Sequence, residues 1–316
     1  MKRFLTCICI ILSLALLAGC KSNAPETSSA TPTEAPDISA SDSPTETAAP
    51  EQFVFTDKNM PRIDGSTATI PLGEAVISVI LGKPREECSV NFTGTNNAYF
   101  RLIDGECDIL FVYEPPADAL EYIARENAEI DMAPIGRDAL VFLVNTNNPV
   151  KSLTTAQLQD IYTGKTTNWS QVGGADTDIK AFQRNATSGS QTLMEKLVMP
   201  GKTFAEPPAD YIIGGMEGLV EAVAAYNNSD YALGYNVYFY VSQMKNDERI
   251  QLLEVDGVAP TNQSIAAGDY PFVNDFYVVI RKDEPEASPA RVMYDWIQSR
   301  SGQALVDHEG YVAIQQ

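Results

Sequence analysis

Positive charge is scarce in this chain. Its 316 residues hold 22 lysines and arginines against 42 aspartates and glutamates, a net charge of −20, with no run of basic residues. Binding to nucleic acid rests on cations set against phosphates, and adhesion to an anionic lipid surface does too, so both are excluded as principal functions. Histidine is scarcer still: His308 stands alone, so a histidine-based dyad or metal cluster has no second member. The chain also lacks a nucleophile elbow, a phosphate loop ending in Gly-Lys-Ser/Thr and a His-Glu-x-x-His pair. No unit of about 20–50 residues repeats, which removes solenoids and propellers. Catalysis is left with little support, and neither cofactor nor metal is expected. An acidic chain can still hold an anion if local dipoles and one or two well-placed cations supply the attraction.

What is present begins with a leader. Lys2 and Arg3 precede an apolar run from Phe4 to Leu17, too short for a membrane span and built like a secretory signal. The next residues, Leu17-Ala18-Gly19-Cys20, resemble the lipobox of bacterial lipoproteins. That resemblance implies cleavage after residue 19 and lipid on Cys20, with a soluble secreted form as the alternative. Residues 20–51 are rich in Ser, Thr, Ala, Pro, Glu and Asp and hold no aromatic side chain. Such a stretch buries too little apolar surface to offset chain entropy, and it is read as a disordered tether. Past the leader and Cys20, only Cys88 and Cys107 remain. An exported location permits them to bridge, and their spacing does not decide whether they do.

From Phe53 onward, helical and strand-like segments alternate. Leu72, Ala75, Val76 and Val79 fall on one helical face, and a second helix is expected over 98–103. Residues 89–92, 108–113, 139–144, 179–182, 232–235 and 276–280 read as strands. Thr154 to Gln157 forms a capping-box pattern, Met216, Leu219, Val220 and Val223 mark an amphipathic helix, and Ser288-Pro289 opens a last helix through Trp296. This alternation implies α/β architecture with parallel strands, in which ligands sit beyond the carboxyl ends of strands at the following helix starts. Three hydroxyl-rich stretches occupy such positions: 65–69, 93–97 and 187–190. Each offers free backbone N–H groups and the positive end of a helix dipole.

The third stretch follows an arginine, as Arg184-Asn-Ala-Thr-Ser188-Gly189-Ser190-Gln191. Ser188 and Gln191 fit a capping box, and Arg184 alone could be an ordinary ion-pair residue. A guanidinium and a helix start on one short loop also match the fork geometry of an oxyanion site. Glu114, between an apolar strand and two prolines, reads on its own as a solvated turn carboxylate. Tyr235, Tyr238 and Tyr240 fit packing better than ligand stacking.

Five segments carry a family resemblance: GSTATIP at 65–71, SLTTAQLQDIYTGKTTNW at 152–169, RNATSGS at 184–190, ALGY at 232–235 and SGQALVDHEGYV at 301–312. Over nearly all of the ordered region the chain resembles substrate-binding proteins of phosphate ABC transporters. The resemblance implies a two-lobed, type II periplasmic-binding-protein fold, with parallel-rich sheets, flanking helices and a ligand cleft between lobes. Its expected division is a leader at 1–19, a tether at 20–51, the first lobe at 52–143 and again at 241–316, and the second lobe at 144–240. It places Thr69 and Ile70 in a first binding loop, Thr95 or its neighbour Asn96 at a binding serine, and Arg184, Ser188, Gly189 and Ser190 in a third loop. The family's aspartate acceptor for the phosphate proton has no direct counterpart. Glu114 is the nearest carboxylate, one residue out of step with the following proline.

The expected function is a lipid-anchored receptor on the extracytoplasmic face of the cell membrane. It is expected to be monomeric and non-enzymatic, to bind a small inorganic anion (phosphate first), and to serve an ABC permease. A receptor for another oxyanion such as sulfate or molybdate, and a sensor or scaffold lipoprotein of the same fold, are the alternatives.

Overall fold

The computed structural model describes residues 53–225 and 231–314. The leader, Cys20 and the tether lie outside the described residues.

The chain runs β1 (Ile63–Gly65), α1 (Ile70–Leu81), α2 (Thr95–Ile103), β2 (Ile109–Val112), α3 (Ala117–Arg125) and a long β3 (Ile130–Asn145). Then come β4 (Ser152–Leu153), α4 (Thr155–Tyr162), β5 (Lys180–Ala181), β6 (Gln183–Arg184), α5 (Gly189–Leu193), β7 (Ile212–Ile213), α6 (Met216–Ala224) and β8 (Ala232–Val237). It ends with β9 (Ile250–Leu252), β10 (Glu254–Val255), α7 (Asn262–Ala267), β11 (Val273–Arg281), α8 (Pro289–Gln298), α9 (Arg300–His308) and β12 (Val312–Ala313). The main sheet has the order β1-β2-β11-β3-β8-β5, with β9 and β12 also on β3. Pairing is parallel at β1–β2, β5–β8, β4–β10 and β6–β7, and antiparallel at β2–β11, β11–β3, β3–β8, β3–β9 and β3–β12.

β3 organises the whole. Residues 130–139 pair with β11, whereas residues 140–145 pair with β8 and β9. One strand thus serves two halves, and Leu140 to Val144 are fully buried, as an uninterrupted apolar run on a doubly covered strand should be. β9 and β10 pair with residues 143–145 and 152–153, so the chain keeps contact with the second half beyond residue 241. At the crossover sits Asp138, 1% exposed. It accepts hydrogen bonds from Tyr113 Oη (2.7 Å), Ala139 N (2.8 Å) and Phe239 N (3.1 Å), joining three segments. Burial pushes its carboxyl up to about 6.

Several local expectations meet a different outcome. Residues 89–92 form no strand; the chain runs extended and Phe92 packs against Gly65 and Gly73, where an added Cβ would clash with its ring. α2 begins at Thr95 rather than at residue 98, because Gly94 at φ 90° lets the chain turn straight into it. Val79 is 56% exposed, since the buried stripe of α1 ends at Val76. α8 is followed by α9, which Ser299 caps. The capping box at Thr154–Gln157 forms in full. Cys88 and Cys107 are buried and unbridged, and burial pushes the Cys107 thiol up to about 12.

Candidate functional site

All three hydroxyl-rich stretches meet around one cavity of about 260 Å³, closed off by Gly214, Gly215 and Met216 at the start of α6. The wall from the first half is a pair of loops tied by one buried carboxylate. Asp64 Oδ1 accepts from Gly65 N and Thr93 N (both 2.7 Å), and Oδ2 accepts from Thr93 Oγ1 (2.8 Å) and Arg101 Nη1 (2.7 Å). Ser66 Oγ and Thr95 Oγ1 share a hydrogen bond of 2.5 Å, and Gly94 N donates to Gly65 O. Thr67 and residues 93–97 line the cavity. With the first turn of α2 aimed there, its N–H groups have no helical acceptors.

The opposite wall carries the charge. Arg184, 6% exposed, ends β6. Its backbone N–H donates to Tyr235 Oη (3.0 Å) and Gln191 Oε1 (3.3 Å). Its guanidinium donates through Nε to Ile213 O (3.0 Å) and through Nη2 to Gly214 O (3.1 Å). Nη1 is buried and makes no hydrogen bond to protein. Among the described residues Arg184 has no ion-pair partner, and desolvation lowers its pKa. Ser188 caps α5 by accepting from Gln191 N, but the return bond of a capping box is missing. The Gln191 side chain instead holds Arg184 N and Tyr235 Oη. The tyrosine is thus a positioning group within the packing, fully buried.

The walls touch. A Cβ at Gly189 would lie 2.9 Å from Thr95 Oγ1, so glycine is what lets α5 approach α2. Seven buried side-chain polar atoms among the described residues lack a protein partner, and four belong to this neighbourhood: Asn96 Oδ1, Arg184 Nη1, Asn185 Oδ1 and Ser190 Oγ. Buried polar groups are normally paired, so such a cluster marks a site built for something other than protein.

Of the sequence candidates, Thr95, Asn96, Arg184, Ser188 and Gly189 line the cavity, and Ser190 is buried just behind. Thr69 is not on the wall: its Oγ1 donates to Ser66 O (2.9 Å) and Phe111 O (2.6 Å), bracing the first loop. Ile70 begins α1 and packs against the core. Glu114 lies elsewhere. Its carboxylate accepts from Lys196 Nζ at 2.7 and 2.5 Å and from Tyr277 Oη at 3.3 Å, beside Arg137 and Asp275 in a second cavity. The sequence reading missed Thr67, Asn185 and the Gly214-Gly215 turn. The glycine pair ahead of an amphipathic helix was the available signal for the last of these.

A model of the PBP superfamily domain matches residues 42–300. The phosphate-binding protein PstS of Bacillus subtilis is 27% identical over 259 residues, covering 80% of each chain. A phosphate ABC transporter substrate-binding protein from Clostridium perfringens, solved with bound phosphate, superposes with TM-score 0.65 at 25% identity, over 80% of this chain and 98% of that one. An ABC-type phosphate transport receptor from Vibrio cholerae superposes with TM-score 0.58, also at 25% identity, over 80% and 99%.

Proposed function

The chain belongs to the PBP superfamily, and from that premise we propose that it is a solute receptor whose ligand is inorganic phosphate, handed to an ABC permease. One observation carries the reading: among the described residues a buried guanidinium, Arg184, has no carboxylate partner and keeps Nη1 without a hydrogen bond, and the cavity that Arg184 lines holds no acidic side chain. A buried charge without a partner is costly, and an anion between the walls offsets that cost while pairing Nη1, Ser190 Oγ and the helix-start amides. The named relatives are phosphate binders, which selects phosphate among small oxyanions. Capture makes and breaks no bond; affinity comes from exclusion of water between preformed walls.

The two walls belong to two lobes in this reading. The first comprises residues up to the β3 crossover together with the C-terminal part, and the second the residues between. Asp138 sits at their junction. Lipid on Cys20 would hold the receptor at the extracytoplasmic face, and Cys20→Ser should then release the protein from membranes; full retention in the membrane fraction contradicts it. No helix among the described residues is long and apolar enough to span a membrane. The ligand is tested by calorimetric titration of the purified protein with phosphate, sulfate, molybdate and arsenate. Tight phosphate binding is expected, and absence of oxyanion binding removes the reading.

A further inference from the structure

Selecting phosphate over sulfate requires something that notices a proton. Near neutral pH phosphate keeps at least one O–H, whereas sulfate has none. Among the described residues, the lining of the cavity holds no aspartate or glutamate. Asp64 stands closest in sequence to the first loop, but its two oxygens already accept four hydrogen bonds from Gly65, Thr93 and Arg101. Glu114 is engaged by Lys196 and Tyr277 at another cavity. One of the lining residues carries a buried, unpartnered acceptor: Asn96, in the first turn of α2 and 8% exposed, whose Oδ1 has no protein donor among the described residues. Asn185 Oδ1 is also unpartnered, but it lies on the arginine's wall, and its residue is only half-buried, with Nδ2 spent on Thr187 Oγ1 at 2.8 Å.

We propose that the Asn96 carboxamide oxygen is the acceptor for the bound anion's own proton, so that this receptor tells protonated from unprotonated oxyanions with a neutral group. The inference rests on the phosphate reading and deepens it. Arg184 Nη1 and the amides of the helix starts donate to the ligand's charged oxygens, and Asn96 Oδ1 receives its hydroxyl. Against sulfate, Oδ1 would face lone pairs and stay buried and unpaired. It would add no full negative charge of its own, so rejection reflects one lost hydrogen bond. A neutral acceptor also suits a cavity in whose lining Arg184 is the sole charged side chain, since an ionised carboxylate facing it would pair with the guanidinium and weaken its hold on the ligand.

The test is competition calorimetry on the full chain with phosphate, arsenate and sulfate, in wild type, Asn96→Leu, Asn96→Asp and Asn185→Leu, with melting curves to certify folding. Wild type should prefer phosphate and arsenate over sulfate by ~10–100-fold, the span of one unpaired buried acceptor. Asn96→Leu should weaken phosphate, leave sulfate nearly unchanged and bring the ratio towards unity, whereas Asn96→Asp should widen it. Asn185→Leu, which also alters the lining but on the arginine's wall, should change both affinities in step and so keep only the ratio. If Asn96→Leu does not fold, Asn96→Asp and the wild-type ratio decide. Equal wild-type affinity for phosphate and sulfate overturns the proposal without any variant. A ratio unmoved by both Asn96 substitutions, or one lost in Asn185→Leu instead, overturns it while the receptor stands. A wild type that binds no oxyanion removes receptor and proposal together.

Discussion

The two walls of the cavity are made from the same material, a hydroxyl-rich loop running into a helix, yet they treat charge in opposite ways. On the first wall a cation, Arg101, is spent on Asp64, whose remaining acceptor capacity knots the two loops together. That wall shows the cavity neutral groups only. On the second wall Arg184 is held by backbone carbonyls and a neutral Gln191–Tyr235 pair, and its charge is left uncompensated. One wall is preorganised by an internal ion pair; the other waits for its counter-ion. Damage to the first should therefore act through shape, and damage to the second through charge.

The largest effect should come from the second wall. Arg184→Ala is expected to weaken phosphate binding by about 2–5 kcal/mol, or roughly 30- to 5,000-fold in Kd, the cost of removing one partner of a buried charged contact. Arg184→Lys should restore only part, because a point charge cannot reach the ligand while also replacing the fork on Ile213 and Gly214. Calorimetry reads both. Unchanged affinity in Arg184→Ala would mean that the guanidinium only braces the 213–214 turn.

Next is the junction behind the walls. Asp138 has an ordinary value of 3.8 and a folded value raised to about 6. Between those values the folded protein holds a proton that the unfolded chain has released, so stability contributed by this group falls as pH rises through the window. At about 1.36 kcal/mol per unit, the loss is roughly 3 kcal/mol and is complete above pH ~6. Asp138→Asn removes the titration, so the variant should gain on wild type by that amount between pH 4 and 7 in denaturant melts. A pH-independent difference would place the carboxyl's true value near its ordinary one.

How much of this could be read from the sequence divides along the same line. The second wall was legible because its signal is local: Arg184, Ser188, Gly189 and Ser190 lie within seven consecutive residues, and a loop–helix transition brings such neighbours together by itself. β11 and the second part of β3, at 139–144, announced themselves as apolar runs; residues 130–138 of β3, which include Pro134 and Asp138, did not and were missed. The first wall was less legible because its geometry is long-range. That Thr67 rather than Thr69 faces the cavity depends on which hydroxyl meets Phe111 O, 42 residues away. Asp64, which organises the wall, carries no local signature at all. The expected strand at 89–92 failed for a related reason: the larger of its two hydrophobic residues, Phe92, serves to fill the space over two glycines rather than to pair.

Asp64 is the way to break the first wall selectively. Asp64→Asn keeps one carbonyl acceptor and the volume but puts an amide against Arg101, so a loss of about 1.5–3 kcal/mol in stability is expected, the range for hydrogen bonds to a charged group. Binding should weaken as well, chiefly through a slower association as loops 65–69 and 93–97 sample other arrangements. Stopped-flow and thermal melts separate the two. A fall in affinity equal to that of Arg184→Ala would erase the distinction between a shaping wall and a charging wall.

The smallest effect is expected at Glu114, the carboxylate that the sequence sets nearest to the place of the family's proton acceptor. Glu114 had the position to accept the ligand's proton, but its carboxylate joins Lys196, on the turn after α5, and Tyr277, on β11. The pair ties the turn after β2 to the segment after α5, as a clasp outside the cavity. Its side chains are 28% and 54% exposed, so water screens the attraction, and such pairs contribute only about 0–1 kcal/mol. Glu114→Gln should therefore shift phosphate affinity by less than about 5-fold, and raised salt should shrink the difference because exposed charges are screened over about 10 Å at 0.1 M. The phosphate-to-sulfate ratio should not move, since the clasp touches neither ligand nor wall. Lys196→Met should reproduce the same small shift, and the double variant should be no worse than either single one, as expected of two partners in one interaction. A ratio that collapses in Glu114→Gln would return the proton-reading role to the carboxylate and require the turn at Glu114 to swing into the cavity when ligand binds.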